Sequence, residues 1–367
     1  MTRKASILAA LACAGALVAW PAKKKKDEEK EVNQILQVPK ELPAAVVGET
    51  RHLTFYVTPL SAKGLLSQQV RDALKALDRQ DGDDTVLQIR AFLAGTGDLR
   101  RVRDLISETF TEHKQPLPVV SIIQSGGLPL TGAQVILEAV AASRKELHPG
   151  GLAWISAQIA AAEDPLTPVA PLAGQSLARL REAVKTAGSE PDGVLRVTCF
   201  LSSLDSVENT RSRLAADYPK AALDVVQTQR EPVRAAAGCE AVAVPREKAG
   251  PPLEFRSPAE PDGASVAILR SPHVLFTGAQ TSFGFEERDA RLAFERLQKL
   301  LEQNGAAPRD VAFARLYPLS QKIADQVRKV RTAFFDTARM PAGSLLFFEG
   351  LSSQDAGFAV DVVAAKD

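Results

Sequence analysis

The chain has 367 residues, with 45 Lys plus Arg against 44 Asp plus Glu, a formal net charge of +1 and an apolar fraction of 45%. This balance excludes a disordered polyelectrolyte and supplies no electrostatic footprint for nucleic acid, which needs a clustered basic surface. The length is too great for one ordinary core and asks for about two or three domains.

In chain order, Arg3 and Lys4 precede an apolar run from Ala5 to Trp20 that closes near the small residues Ala19 and Ala22. This is the pattern of a secretory signal over 1–22. The run is short for a membrane span, which takes ~20 apolar residues. The expected address is therefore exported, periplasmic or secreted, with no stable span once the signal is removed. An uncleaved signal acting as an anchor is the alternative, and Lys23 to Lys26 work against clean translocation. A charged, then extended, leader occupies 23–48.

A first unit over 49–145 opens on the alternating strand His52 to Val57. Leu66, Val70, Ala73, Leu74 and Leu77 then recur at helical spacing. Val86 to Leu93 reads as a strand, Val102 to Phe110 as a second amphipathic helix, and Val119 to Ile123 and Gln134 to Ala141 as closing strands. A second unit over 150–246 repeats this order, with strands from Leu152 and Val194 and helices from Leu177 and Val207. Pro251, Pro252, Pro258 and Pro261 mark a linker over 247–262. A third unit over 263–367 has strands at Val274 to Thr277, Val311 to Tyr317, Ser344 to Glu349 and Phe358 to Ala364, and helices near Asp289 to Asn304 and Lys322 to Asp336.

One spacing recurs in all three units. From the helix leucine (Leu74, Leu180, Leu297) to the strand residue (Phe92, Phe200, Leu316) is 18, 20 and 19 positions. From there to a closing acid (Glu138, Glu240, Asp361) is 46, 40 and 45. An internal repeat of this kind governs the fold. Each unit reads β-α-β-α-β-β, an α/β (α+β) layer with both helices on one sheet face. The other face would expose apolar residues unless the sheets of the other units cover it. The expected architecture is a three-part barrel from one chain, helices outside and sheets inside.

Cys199 and Cys239 are read as small buried hydrophobes, with a disulfide as the alternative in an oxidising compartment. His52, His113, His148 and His273 are scattered without ligand spacing. No metal site and no cofactor is expected.

The ordered motifs resemble the RidA family, also called YjgF and often labelled endoribonuclease L-PSP. Leu152 to Gln158 is similar to that family's early strand ending in Ser-Gly-Gln. Gln175-Ser176-Leu177, Ala187-Gly188, Val194 to Leu201, Tyr218-Pro219 and Glu240 to Ala243 follow in the family's order. The third unit matches at Phe276 to Gln280, Gly305 and the closing strands, while the first is more distant. Family members are typically homotrimers with ligand clefts between subunits, so the resemblance implies a monomeric pseudo-trimer of three divergent copies.

In deaminating members, a Pro-x-Arg at the start of the fifth strand grips a substrate carboxylate, a bidentate contact that lysine does not copy. The equivalent triplets here are Pro118-Val119-Val120, Pro219-Lys220-Ala221 and Pro341-Ala342-Gly343, none with arginine. The resemblance leaves Glu138, Glu240 and Asp361 as candidate cleft acids. Arg234 is a candidate relocated arginine, and Gln158, Gln280 and Lys220 are candidate ligand contacts. Each has a plainer reading as a strand-end cap, a surface acid or a solvated charge.

Three functions stay open. The first is an exported pseudo-trimer that binds a small ligand, such as a carboxylate, or a partner in inter-repeat clefts with little deaminase activity. The second is an enamine or imine deaminase of the 2-iminobutanoate/2-iminopropanoate type with a relocated arginine. The third is a structural envelope protein.

Overall fold

A computed structural model describes residues 39–95, 97–257 and 265–367. The expected signal segment, and the leader up to residue 38, lie outside the described residues.

The elements run β1 (Ala45–Glu49), β2 (Leu53–Val57), α1 (Leu66–Asp81), β3 (Thr85–Ala94), α2 (Leu99–Glu112), β4 (Val119–Ser125) and β5 (Val135–Ala142). There follow β6 (Leu152–Ala162), α3 (Val169–Thr186), β7 (Val194–Leu201), α4 (Val207–Asp217), β8 (Ala222–Gln227), β9 (Ala235–Ala243), β10 (Leu253–Arg256) and β11 (Val266–Leu269). The chain closes with β12 (His273–Thr277), β13 (Gln280–Phe283), α5 (Glu287–Gln303), β14 (Val311–Pro318), α6 (Gln321–Phe334), β15 (Ala342–Leu345), β16 (Gly350–Leu351) and β17 (Ala356–Lys366).

Local chemistry explains the helix limits. Asp98 caps α2 by accepting from the backbone N–H groups of Arg100 and Arg101, and Glu286 and Asp289 form a capping box at the start of α5. Gly82 ends α1 at φ 59°, a left-handed conformation that a side chain would strain.

One four-strand order recurs in three sheets: β2-β5-β3-β4, β6-β9-β7-β8 and β12-β17-β14-β15. In each, the last two strands pair in parallel and the rest antiparallel. Strand alternation then assigns two faces. On β3, Ile89, Ala91 and Leu93 pack with Val70, Leu74 and Phe110 of the helices. Arg90 and Phe92 point the other way. The second and third sheets bury corresponding residues against α3 with α4, and α5 with α6. The opposite faces of all three sheets contribute to two shared apolar clusters, one around Trp154 and one around Phe348.

Three expectations need correction. The sheets do not close into a barrel: they remain three ladders whose inner side chains meet. Among the described residues the bridge between Gly127 and Gln227 links the first sheet to the second, and the two-residue β16, from the third unit, pairs with β4 as an edge strand of the first sheet. The stretch 247–262 is not a bare linker. Pro251 and Pro252 lead into β10, which pairs with β11, and β11 extends the second sheet through β6 although it falls inside the expected third unit. Cys199 and Cys239 sit directly opposite on β7 and β9 and are joined by a disulfide. Register brings their Cα atoms to 4.1 Å, a proximity that sequence separation conceals. Among the described residues no helix is long and apolar enough to cross a membrane.

The disulfide closes a separation of 40 residues. Chain-entropy reasoning gives it about 4 kcal/mol. Paired Cys199→Ala and Cys239→Ala substitutions are expected to lower the melting temperature by roughly 5–10 °C in calorimetry, with the fold retained by circular dichroism.

Candidate functional site

The inner faces of the three sheets meet around a layer of charge. Arg90 lies opposite Glu138 in the β3–β5 ladder and Arg315 opposite Asp361 in the β14–β17 ladder. The matching position on β7 is Thr198, opposite Glu240, and Arg196 enters from two residues earlier. All seven side chains are buried.

Arg90 bridges two sheets. Its Nε donates to Glu138 Oε2 at 2.7 Å and its Nη2 to Glu240 Oε1 at 2.8 Å. Arg315 Nη1 donates to Asp361 Oδ1 at 3.1 Å, and its Nε stands 3.5 Å from Glu240 Oε1. Arg196 lies 3.7 Å from Glu138 and 3.9 Å from Glu240. Hydroxyls complete the shell. Ser121 donates to Asp361 at 2.8 Å, Ser344 to Glu240 at 2.6 Å, Tyr317 to Asp361 at 2.9 Å, and Thr198 to Glu138.

Aromatic rings cover this layer on both sides. Phe55, Trp154, Phe276 and Phe313 form one group, and Phe92, Phe200 and Tyr317 gather around Phe348 in the other. Arg90 lies 5.0 Å from the Phe92 ring centre and Arg315 5.2 Å from that of Phe313, within cation–π range. Burial pushes the Glu240 carboxyl up, but Arg90, Arg315 and Arg196 outweigh it and hold the group down at about 2. Burial drags Arg196 down to about 10, which leaves it a cation at neutral pH.

The candidate acids Glu138, Glu240 and Asp361 are therefore interior and paired with arginine, not presented to a cleft. Lys220 is a surface lysine paired with Asp192 at 2.7 Å. The Gln158 amide donates to Ser156 O at 3.0 Å in the middle of β6, and the Gln280 amide donates to Gly278 O at 3.2 Å beside the space at Glu41 to Ala44. Arg234 is half-buried 5.8 Å from the Phe347 ring centre, beside a space of only about 30 Å³. That is room for about one water.

An early strand of one sheet meets the parallel strand of another at three places, and two of these places hold a space. Register refines the equivalences. Val120, Leu223 and Gly343 occupy one position, beside Ile89, Val197 and Ala314. The second-sheet position is thus two residues beyond Ala221. None of the three is arginine. At Gly343 a Cβ would stand 2.3 Å from Ala314 O, so that strand cannot carry a side chain there without moving.

The three meeting points differ. Where β12 ends against β4, Gly278 N donates to Ala44 O at 2.9 Å, Leu42 is buried, and residues Glu41 to Ala44 leave a volume of about 170 Å³. Where β6 meets β15, Ala157 N donates to Ser344 Oγ at 3.2 Å. Where β2 meets β8, a cleft of about 750 Å³ is open. Val57, Pro59, Leu60, Leu130, Ile136 and Leu223 give it apolar walls, and Arg211 and Glu208 of α4, 2.8 Å apart, stand at its rim. A second space of about 690 Å³ lies between the start of α2 and residues 349–354. Among the described residues no group of three or more His, Cys, Asp or Glu side chains is placed to hold a metal.

Sequence reading missed Arg90, Arg196 and Arg315. Their signal is a charge in mid-strand between apolar neighbours, as in Ile89-Arg90-Ala91 and Ala314-Arg315-Leu316. Such a residue requires a buried partner.

No protein-family model and no curated protein matches the chain. Solved structures do. A Mycobacterium tuberculosis member of the YjgF/YER057c/UK114 family is similar at 22% identity over 28% of this chain and 83% of its own, with a TM-score of 0.24. A Yersinia pestis member of the conserved Rid family is similar at 18% identity over 32% of this chain and 100% of its own, TM-score 0.29. Escherichia coli TdcF with bound serine is similar at 18% identity over 26% of this chain and 81% of its own, TM-score 0.24. The likeness is to YjgF/RidA/UK114 structures, each covering about a third of the chain or less.

Arg90→Ala would leave Glu138 and Glu240 without their shared cation. The expected loss is about 3–5 kcal/mol in urea unfolding, the cost of breaking a buried ion pair from one side. The depressed Glu240 carboxyl adds an acid dependence. Its stabilisation is fully present above about pH 4.5, the unfolded value, and is lost as pH falls towards about 2. The urea midpoint should fall across that window.

Proposed function

We propose that this chain is a RidA-like pseudo-trimer that binds a small ligand in the open cleft between β2 and β8, without the deaminase chemistry of the family it resembles. The observation that carries this reading is the state of that cleft. It is of ligand size, since such sites run to ~300–1,000 Å³, and its walls are mixed, with Val57, Leu60, Leu130, Ile136 and Leu223 beside Thr58, Gln80, Ser212 and Asp224. The register position at which the resemblance calls for a carboxylate-gripping arginine holds Leu223. The counterpart at β4 is occupied by the chain's own residues Glu41 to Ala44. Three covalently joined copies are free to diverge in this way, one retaining room while the others serve packing.

The enzyme reading requires a guanidinium and an acid facing each other across a vacant space. The arginines and acids of the charge layer are in direct contact at 2.6–3.9 Å, and at the open cleft Arg211 is already paired with Glu208 at 2.8 Å. Arg234 has a partly open setting, but its ring contact and the small space beside it suit packing. The expected carboxylate ligand is accordingly replaced by an uncharged or weakly polar one. Export from the cell, as the N-terminal pattern suggests, belongs to the same proposal.

Purified protein incubated with freshly generated 2-aminoacrylate should release ammonia no faster than the protein-free control. In amide NMR spectra, benzyl alcohol at millimolar concentration should shift signals of Leu60, Leu130 and Leu223, and benzoate should shift them less. Ammonia release that collapses in Arg234→Ala would establish the enzyme instead. Unchanged cleft signals with every probe would favour a structural role.

A further inference from the structure

Three seams join the sheets at the charge layer, and two are built alike. Ser121, beside Arg90 in the β3–β4 pairing, donates to Asp361 on the third sheet at 2.8 Å. Ser344, beside Arg315 in the β14–β15 pairing, donates to Glu240 on the second sheet at 2.6 Å. Each seam thus has a hydroxyl on the parallel strand giving a proton to the closing acid of the next sheet. By the same register the third seam places Asp224, beside Thr198 on β7, towards Glu138 on the first sheet. A carboxylate there has nothing to give.

Asp224 is buried, and neither of its oxygens has a hydrogen-bond partner of ordinary geometry. The surrounding charge is already balanced without it. Arg90, Arg196 and Arg315 offset Glu138, Glu240 and Asp361 within ion-pair distance. An ionised Asp224 would add an uncompensated buried charge, which a protein avoids by neutralising the group. From β8, Asp224 faces Glu138 of β5, Arg90 of β3 and Arg196 of β7; towards the cleft, α4 offers Arg211 and Glu208, which are exposed and paired with each other.

We propose that Asp224 is folded in as a neutral carboxylic acid whose proton bridges to Glu138, closing the seam between the first and second sheets by the bond that a serine hydroxyl makes at the other two. Burial, then Glu138, push its carboxyl up to about 8, with Arg90, Arg196 and the Val225 backbone only partly opposing. Asp224 also belongs to the lining of the open 750 Å³ cleft. Loss of its proton therefore puts like charges together behind that cleft and at no other seam. The proposal stands without any ligand.

The sign follows from linkage. The folded state holds the proton more tightly than the unfolded chain. Stability from this group is complete below about pH 4 and falls as pH rises through about 8. Asp224→Asn supplies a permanent donor of the same shape. Its folding constant, measured by urea unfolding against wild type, should match at pH 4 and exceed it by about tenfold for each pH unit up to about pH 8. Asp224→Ser should remove the same pH step. On the wild type itself, infrared spectra of protein with ¹³C-labelled aspartate should show a protonated-carboxyl C=O band at pH 7, absent from Asp224→Asn and bleached as pH passes about 8. A wild-type-to-variant difference independent of pH, or no such band at pH 7, would overturn the proposal.

Discussion

Burying charge in the middle of a protein is tolerable only when every charge is answered, and this requirement shapes the molecule. Three arginines and three carboxylates lie at the junction of the sheets, with serine, threonine and tyrosine hydroxyls filling the remaining acceptor sites. Arg90 reaches acids on two sheets at once, so neither sheet is electrostatically complete alone. Buried ion pairs of this kind contribute little net stability beside an apolar substitute, but they punish any arrangement that leaves one partner bare. The layer works as a register lock more than as a source of cohesion.

Cohesion comes from what surrounds it. Aromatic groups above and below exclude water and place rings beside the guanidinium groups, while each sheet buries its outer face under its own pair of helices. The shared inner clusters need all three sheets, so the units cannot be expected to hold as separate domains. The disulfide ties β7 to β9 within the second sheet, directly behind Thr198 and Glu240 of the charge layer.

This arrangement bears on function by removing candidates. The acids are committed to arginines, and of the residues beside Ile89, Val197 and Ala314, Val120 and Leu223 line spaces while Gly343 packs against Ala314. What differs between the three seams is occupancy. One is threaded by residues Glu41 to Ala44, one is drawn tight around Ser344, and one is open. The open one is also the seam at which an aspartate replaces the serine found at the other two.

The sequence by itself determined the main elements of each unit and their order. Alternation on β2, helical spacing on α1 and α2, and the recurring closing acids were all legible, because periodicity is a local property. It also exposed the missing arginine in all three triplets, although it placed the second one two residues early because Pro219 lies farther from its strand than Pro118 does. Only the tertiary structure decided what those acids do. Glu138 looks the same in sequence whether it faces a cleft or Arg90, and the contacts that lock the sheets together, Arg90 to Glu240 and Ser121 to Asp361, join residues 150 and 240 positions apart. The pairing of Cys199 with Cys239, the strand within the proline-rich stretch and the isolation of Asp224 likewise depend on register between distant segments, and register is fixed by which side chains can share a buried face.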